Sequence, residues 1–290
     1  MPSVANQRFF IELSYDGTNY HGWQIQPNAV TVQEVLDKAL STVLRQQIET
    51  TGCGRTDTGV HAKEFFAHFD FFEIMDHSPW TIAKNAAAMG YGLSTMDKNV
   101  AAMGYGLSTM DKLKSLNALL PNDIAIKNII PVAAEAHARF DAVLRSYEYH
   151  IHFNKDPFKH GYSWLLRDEP DIELMNQAAR IMMEYTDFSC FSKSNTQVKT
   201  NNCKISYAEW VKTDSGIIFH ISADRFLRNM VRAIVGTLLQ VGRKEIEPWE
   251  VKLIIQSKNR SNAGTSVPAC GLYLTEVKYA PQPPEGGANL

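Results

Sequence analysis

The chain has 290 residues, enough for two ordinary domains. At 44% hydrophobic and 21% charged it is not a wholly disordered chain, and no apolar run approaches the roughly 18 residues that a membrane span needs. The net charge of −2 excludes an overtly basic nucleic-acid binder. Averages hide asymmetry, however: residues 181–260 carry twelve Lys or Arg against eight Asp or Glu, a local excess that permits a basic groove without requiring one. Met1 to Gln7 lack a basic start followed by an apolar stretch, so no secretory signal is expected. Cys53, Cys190, Cys203 and Cys270 form neither a CxxC pair nor a disulfide framework, and the expectation is reduced thiols in a cytoplasmic protein.

Arg8 to Tyr15 is rich in aromatic and β-branched residues and stops at Asp16-Gly17, which reads as a strand ending in a turn. After a polar loop to Gln26, an amphipathic helix is expected. Thr31 and Glu34 offer a capping box, and Val32, Val35, Leu36, Ala39, Leu40, Val43 and Leu44 recur at helical spacing. Gln46 to Cys53 leads into a glycine-rich loop, and Phe65 to Phe71 alternates as a strand. Ala87 to Lys98 and Ala101 to Lys112 both read AAMGYGLSTMDK. A solenoid needs at least three copies, so the repeat reads as a loop insertion within an irregular 70–112 region. Lys112 to Leu120 then reads as a helix stopped by Pro121, and Ile124 to Ile130 as a strand.

The second half repeats this grammar. Tyr147 to Phe153 alternates, with Tyr147, Tyr149, Ile151 and Phe153 on one face and Glu148, His150 and His152 on the other. Helices are expected at Ile172 to Met183, Leu227 to Val241 with Gly242 as the terminating residue, and Trp249 to Ser257. Strands are expected at Ile205 to Lys212, Ile217 to Ala223 and Gly271 to Tyr279, before a proline- and glycine-rich tail from 281 that should fray. The pattern predicts an α+β protein with antiparallel sheets, an N-terminal unit over 1–136 and a C-terminal unit over 137–280.

The densest chemistry lies in GCGRTDTGVHA, Gly52 to Ala62, where Arg55, Asp57 and His61 stand among glycines that let a ligand approach the backbone. An ordinary turn, with Asp57 bonded to local amides, fits these residues equally well. On the helix expected over 227–241, Arg228 and Arg232 lie four apart, with Arg225 extending the row. Like charges at that spacing cost about 0.2–0.5 kcal/mol unless an anion sits between them. His150 and His152 share a strand face without a third ligand, so exposed histidines are expected rather than a metal site. Nothing marks Cys53 as an activated nucleophile.

Four stretches in order resemble the tRNA pseudouridine synthase A family. They are YDGTNYHGWQIQP (15–27), GRTDTGVHA (54–62), HARFDAVLRSYEY (137–149) and FLRNMVRAIVGTL (226–238), the last followed by GLYL (271–274). The match runs from about Arg8 to Tyr279. The resemblance implies two RRM- or ferredoxin-like halves whose antiparallel sheets meet at a central cleft. It implies an isomerase that converts uridine to pseudouridine at positions 38, 39 and 40 of the tRNA anticodon arm, working as a homodimer without metal or other cofactor. By motif match Asp57 is catalytic, Arg232 pairs with it, and Tyr147 packs on the target base and assists proton removal. Arg55 and Arg228 are assigned to the flipped nucleotide and its phosphates, Gly271 and Leu272 to an apolar wall, and Asp16, Tyr20 and Trp23 to a structural or RNA-facing loop. A carboxylate suits such chemistry, since it can attack carbon or stabilise positive charge developing at a ribose.

Two rivals make different predictions. Asp57-Thr58-Gly59 matches the aspartic-protease triplet, but that chemistry needs a second aspartate and the chain has no second DTG. An RNA-binding protein of two RRM-like sheets would carry an RNP-type aromatic string, which is absent.

Overall fold

The computed structural model describes residues 4–74, 112–192 and 200–280. The first copy of the duplicated segment and the tail from 281 lie outside the described residues, as does the second copy except for Lys112.

β1 (Val4–Tyr15) pairs antiparallel with β3 (His61–Ile74) and with β4 (Ile124–Val132), and the short β2 (Thr51–Gly52) pairs with β3. In the second half β5 (Ala142–His152) pairs antiparallel with β8 (Gly216–Ala223), which pairs with β7 (Ile205–Thr213), while β6 (Trp164–Leu165) runs parallel to the end of β5. The last strand, β9 (Leu272–Tyr279), joins the halves. It is antiparallel to β5 and makes a short parallel pairing with β3, His61 opposite Tyr273 and Ala62 opposite Leu274. The strand order is therefore β4-β1-β3-β9-β5-β8-β7, one mixed and mostly antiparallel sheet. This corrects the picture of two sheets meeting at a cleft: the seam between the halves is hydrogen-bonded.

Five α-helices lie among the described residues: α1 (Val32–Leu44), α2 (112–119), α3 (Ile172–Met182), α4 (Met230–Gly242) and α5 (Glu250–Ser257). α1 starts as expected, the Thr31 hydroxyl accepting from the Glu34 N–H at 3.3 Å. One core gathers Ile11, Leu13, Leu36, Leu40, Phe65 and Leu116, with Leu274 and Val277 of β9 completing it. The other gathers Met175, Phe188, Phe219, Ile234 and Leu238. Tyr147 packs against both cores, at a point where the β5–β9 register shifts. Such irregularities re-aim side chains, and here the shift falls on Tyr147, the strand residue that the family resemblance singles out.

Two expectations need correction. α4 begins at Met230 rather than Leu227, because Asn229 adopts φ 65° and the Met230 N–H closes a turn onto the Leu227 carbonyl. Arg225 and Arg228 consequently precede the helix, and Arg228 and Arg232 are not a helical i, i+4 pair. Gly242 is the last helical residue, buried against Pro170 and Met175, and Arg243 is the C-cap.

Candidate active site

The loop between β2 and β3 is held in place by the first loop of the chain. Gly22 adopts φ +85°, and a Cβ there would stand 2.4 Å from the Thr56 carbonyl oxygen, so only glycine fits this crossing. The Trp23 N–H donates to that same carbonyl at 3.3 Å, and the Gly59 N–H donates to the Tyr20 carbonyl at 3.3 Å. Tyr15 and Thr56 share a buried hydroxyl–hydroxyl bond of 2.8 Å. The Trp23 indole stacks on Phe65 and covers Gly52, while the Tyr20 hydroxyl donates to Asp123. Tyr20 and Trp23 thus buttress the loop structurally. Asp16 has a similar duty, accepting from Thr18 and from the Tyr162 hydroxyl.

Asp57 rides on this scaffold with its side chain 23% exposed. Its Oδ1 lies 3.6 Å from Nε of Arg228 and its Oδ2 lies 3.7 Å from Nη1 of Arg232. Both separations exceed hydrogen-bonding distance, so the carboxylate is ion-paired while its lone pairs stay open. The two arginines differ in kind. Arg228 is largely exposed, whereas Arg232 is only 20% exposed and its Nε donates to the Val267 carbonyl at 2.7 Å. The Val267 N–H returns a bond to the Arg232 carbonyl at 3.2 Å. Sequence reasoning missed Val267, since its contribution is backbone and leaves no mark in the side-chain pattern.

The half-buried Tyr147 ring meets Phe226 edge-on at 5.1 Å. Burial pushes its hydroxyl pKa up, and the nearby Cys53 and Asp57 push the same way, so the group is a neutral phenol at neutral pH. Arg55 is exposed on the loop two residues before Asp57. Gly271 and Leu272 stand slightly apart: Gly271 is packed under the His150 carbonyl and the Tyr149 ring, and Leu272 pairs with Tyr149. Their turn reaches the loop through Ala269, whose Cβ lies 3.5 Å from where a Cβ on Gly59 would be. The structure therefore brings Asp57, Arg228 and Arg232 together, with Tyr147 within electrostatic reach of Asp57, Arg55 exposed on the same loop, and Gly271 and Leu272 packed on Tyr149.

Arg145 is a positioning residue beneath the Asp57 loop that local reasoning overlooked. Only 8% exposed, it donates to the Cys53 carbonyl from Nε (3.2 Å) and Nη2 (2.7 Å), and to the carbonyls of Arg139 (2.7 Å), Asp224 (2.9 Å) and Ala142 (3.3 Å). One guanidinium thereby ties the start of the Asp57 loop to two segments of the other half.

The remaining candidates are structural. His152 is buried, not exposed as expected, with Nδ1 3.0 Å from the Ser163 hydroxyl. His150 is half-buried against Glu148. No group of three metal-ligating side chains occurs among the described residues. Cys53 is buried, and burial pushes its thiol up to about 11, which leaves it inert. No helix among the described residues is long and apolar enough to cross a membrane.

The chain has relatives. A tRNA pseudouridine synthase A of Bacteroides thetaiotaomicron is 47% identical over 276 residues, covering 94% of this chain and 91% of that one. The chain belongs to the tRNA pseudouridine synthase A family. A Bacteroides fragilis member is 46% identical, covering 95% and 98%, and a Clostridium acetobutylicum member is 34% identical, covering 93% and 98%. The family model described as tRNA pseudouridine synthase matches residues 184–280, the span that contains Arg228, Arg232 and β9. Within the synthase A family the likeness extends over both halves, so the loop of Asp57 and the arginines facing it are covered together.

Proposed function

We propose that the chain converts uridine to pseudouridine at positions 38, 39 and 40 of the tRNA anticodon arm, with Asp57 as the catalytic carboxylate. The observation that carries this reading is the Asp57 carboxylate between Arg228 and Arg232, on a loop locked against the first loop of the chain at Gly22 and facing the opposite half of the protein. Family membership supports tRNA as the substrate and isomerisation as the reaction.

The reaction breaks the bond between N1 of uracil and C1′ of ribose, turns the base, and forms the bond from C5 to C1′. The proton on C5 leaves and N1 gains one, so nothing is oxidised and no net water enters. A uracil inside a stem has no room to turn, and the target nucleotide is flipped out at a cost of a few kcal/mol. Asp57 acts at the ribose or the base, flanked by its two guanidinium neighbours. Arg232, fixed by the Val267 backbone, holds its charge there without reorganising. Tyr147 offers an aromatic face to the base, and its raised pKa favours that role, together with hydrogen-bond donation, over action as a phenolate. Arg55 and Arg228 take the phosphates of the flipped nucleotide, and the turn at Gly271 and Leu272 backs the pocket. The protein acts in the cytoplasm as a homodimer.

Position-resolved pseudouridine mapping of tRNA incubated with the wild type and with Asp57→Asn tests this. Wild type should modify positions 38–40 and the variant none. Modification elsewhere, or undiminished conversion by the variant, would overturn the reading.

A further inference from the structure

The Arg145 hub gathers more than the Asp57 loop. Its Nη2 bonds the carbonyls of both Cys53 and Arg139, and its Nη1 bonds that of Asp224. Three exposed arginines branch from these anchor points: Arg55 two residues after Cys53, Arg139 itself, and Arg225 directly after Asp224. They are close enough to feel each other, since burial lowers the Arg139 pKa and the charges of Arg55, Arg145 and Arg225 lower it further. The acids nearby are engaged elsewhere. Asp141 Oδ2 accepts from the His137 N–H, and Asp224 Oδ1 accepts from the N–H groups of Lys204 and Arg225. Crowded guanidinium groups without an ion-paired carboxylate among the described residues form a ready seat for phosphate.

Beside them stands Phe140, 75% exposed. The Arg139 guanidinium lies 5.9 Å from its ring centroid, and His137 backs the ring at 4.2 Å. Its turn is rigid. The Ala138 N–H donates to His68 Nδ1, the Ala138 carbonyl accepts from the Tyr279 hydroxyl, and the Arg139 and Phe140 N–H groups converge on His137 Nδ1. With the backbone beneath it pinned and His137 against one side, the Phe140 ring is presented to solvent as a large apolar surface.

We infer that Phe140, with Arg139 beside it, is a stacking platform for an unpaired nucleobase of the tRNA near the nucleotide at Asp57, while Arg55, Arg139 and Arg225 seat the adjoining phosphates. This rests on the tRNA-modifying reading above. Every base has a π-face, so the platform supplies affinity tolerant of sequence, and arginines read the backbone without sequence information. The ring and the charges together match single-stranded RNA better than a second copy of this chain, whose net charge is only −2.

The test compares wild type, Phe140→Ala, Phe140→Leu, Phe140→Trp and Arg139→Ala in steady-state kinetics on an unmodified tRNA transcript, with light scattering to give oligomeric mass. Phe140→Ala and Phe140→Leu should raise KM about tenfold while kcat moves far less, and Phe140→Trp should recover most of the loss. Arg139→Ala should weaken binding and reduce the log–log salt slope by about 1. Unchanged KM in Phe140→Ala overturns the inference, as does full function in Phe140→Leu, which keeps bulk without a π-face. A change of mass in Phe140→Ala also overturns it, because the ring would then cover a second copy. Asp57→Asn is carried as a control: equal conversion by it and wild type would sink the enzymatic reading, whatever Phe140 does.

Discussion

Nε of Arg232 is bonded to the backbone of Val267 at 2.7 Å, while its Nη1 stands 3.7 Å from Asp57. The arginine is thus anchored independently of the carboxylate it serves. A guanidinium aimed by backbone contributes charge at a fixed point whether or not the carboxylate changes state, as electrostatic preorganisation requires.

Arg232→Ala should therefore reduce turnover by about a hundredfold, equivalent to about 2.7 kcal/mol of activation free energy. Stability should change much less, because the Asp57 contact is long and the helix carrying Arg232 is held by its apolar face. Arg232→Lys should recover little, since an ammonium lacks the second edge needed to hold Val267 and face Asp57 together. Single-turnover rates alongside thermal melts would check this, and wild-type turnover in Arg232→Ala would contradict the pairing.

Arg145→Ala should be a stability mutation first. It strands the buried carbonyl of Cys53 and the part-buried carbonyls of Arg139 and Asp224, at a cost of about 3 kcal/mol. Arg145→Lys places its three donors on one nitrogen, without the fork that reaches all of them. Denaturant midpoints read the effect, and a midpoint matching wild type would show that these bonds are replaced by water.

Gly22→Ala should lower activity by at least about tenfold, because its Cβ would collide with the Thr56 carbonyl and shift the Asp57 loop at a positive φ that alanine disfavours. A crystal structure of the variant should show the loop displaced. An unmoved loop with full activity would refute the buttress role.

Acid should loosen the Phe140 turn through His68. Burial, chiefly, lowers its pKa from 6.5 to about 4, and its Nδ1 must stay unprotonated to accept from the Ala138 N–H. Between pH 6.5 and about 4 the unfolded chain binds the proton and the folded one does not, so stability falls as pH drops through that window. The loss is about 3 kcal/mol by pH 4. Glu148, pulled to about 2 by the His150 hydrogen bond and by Lys63, adds its own loss only below its ordinary value of 4.5. Unfolding free energies at pH 7.5 and 5 would show the slope. His68→Gln should flatten it, and an unchanged slope in that variant would assign the effect to another group.

Much of the secondary structure was legible because its signals are local. Periodic apolar residues and the Thr31 cap marked α1, and alternation marked β5. The exceptions have local causes too. Asn229 entered a left-handed conformation that residue patterns do not announce, which moved Arg228 off the helix.

The sequence by itself determined the strands, the helices and the glycine-rich loop with its lone carboxylate, because periodicity, caps and turn residues act over a few positions. Only the tertiary structure decided that β9 closes a single sheet, that Val267 aims Arg232, and that Arg145 binds Cys53 and Asp224 across 92 and 79 residues. Contacts at such separations depend on where the packed cores bring distant backbone together, and a carbonyl acceptor is the same atom in every residue.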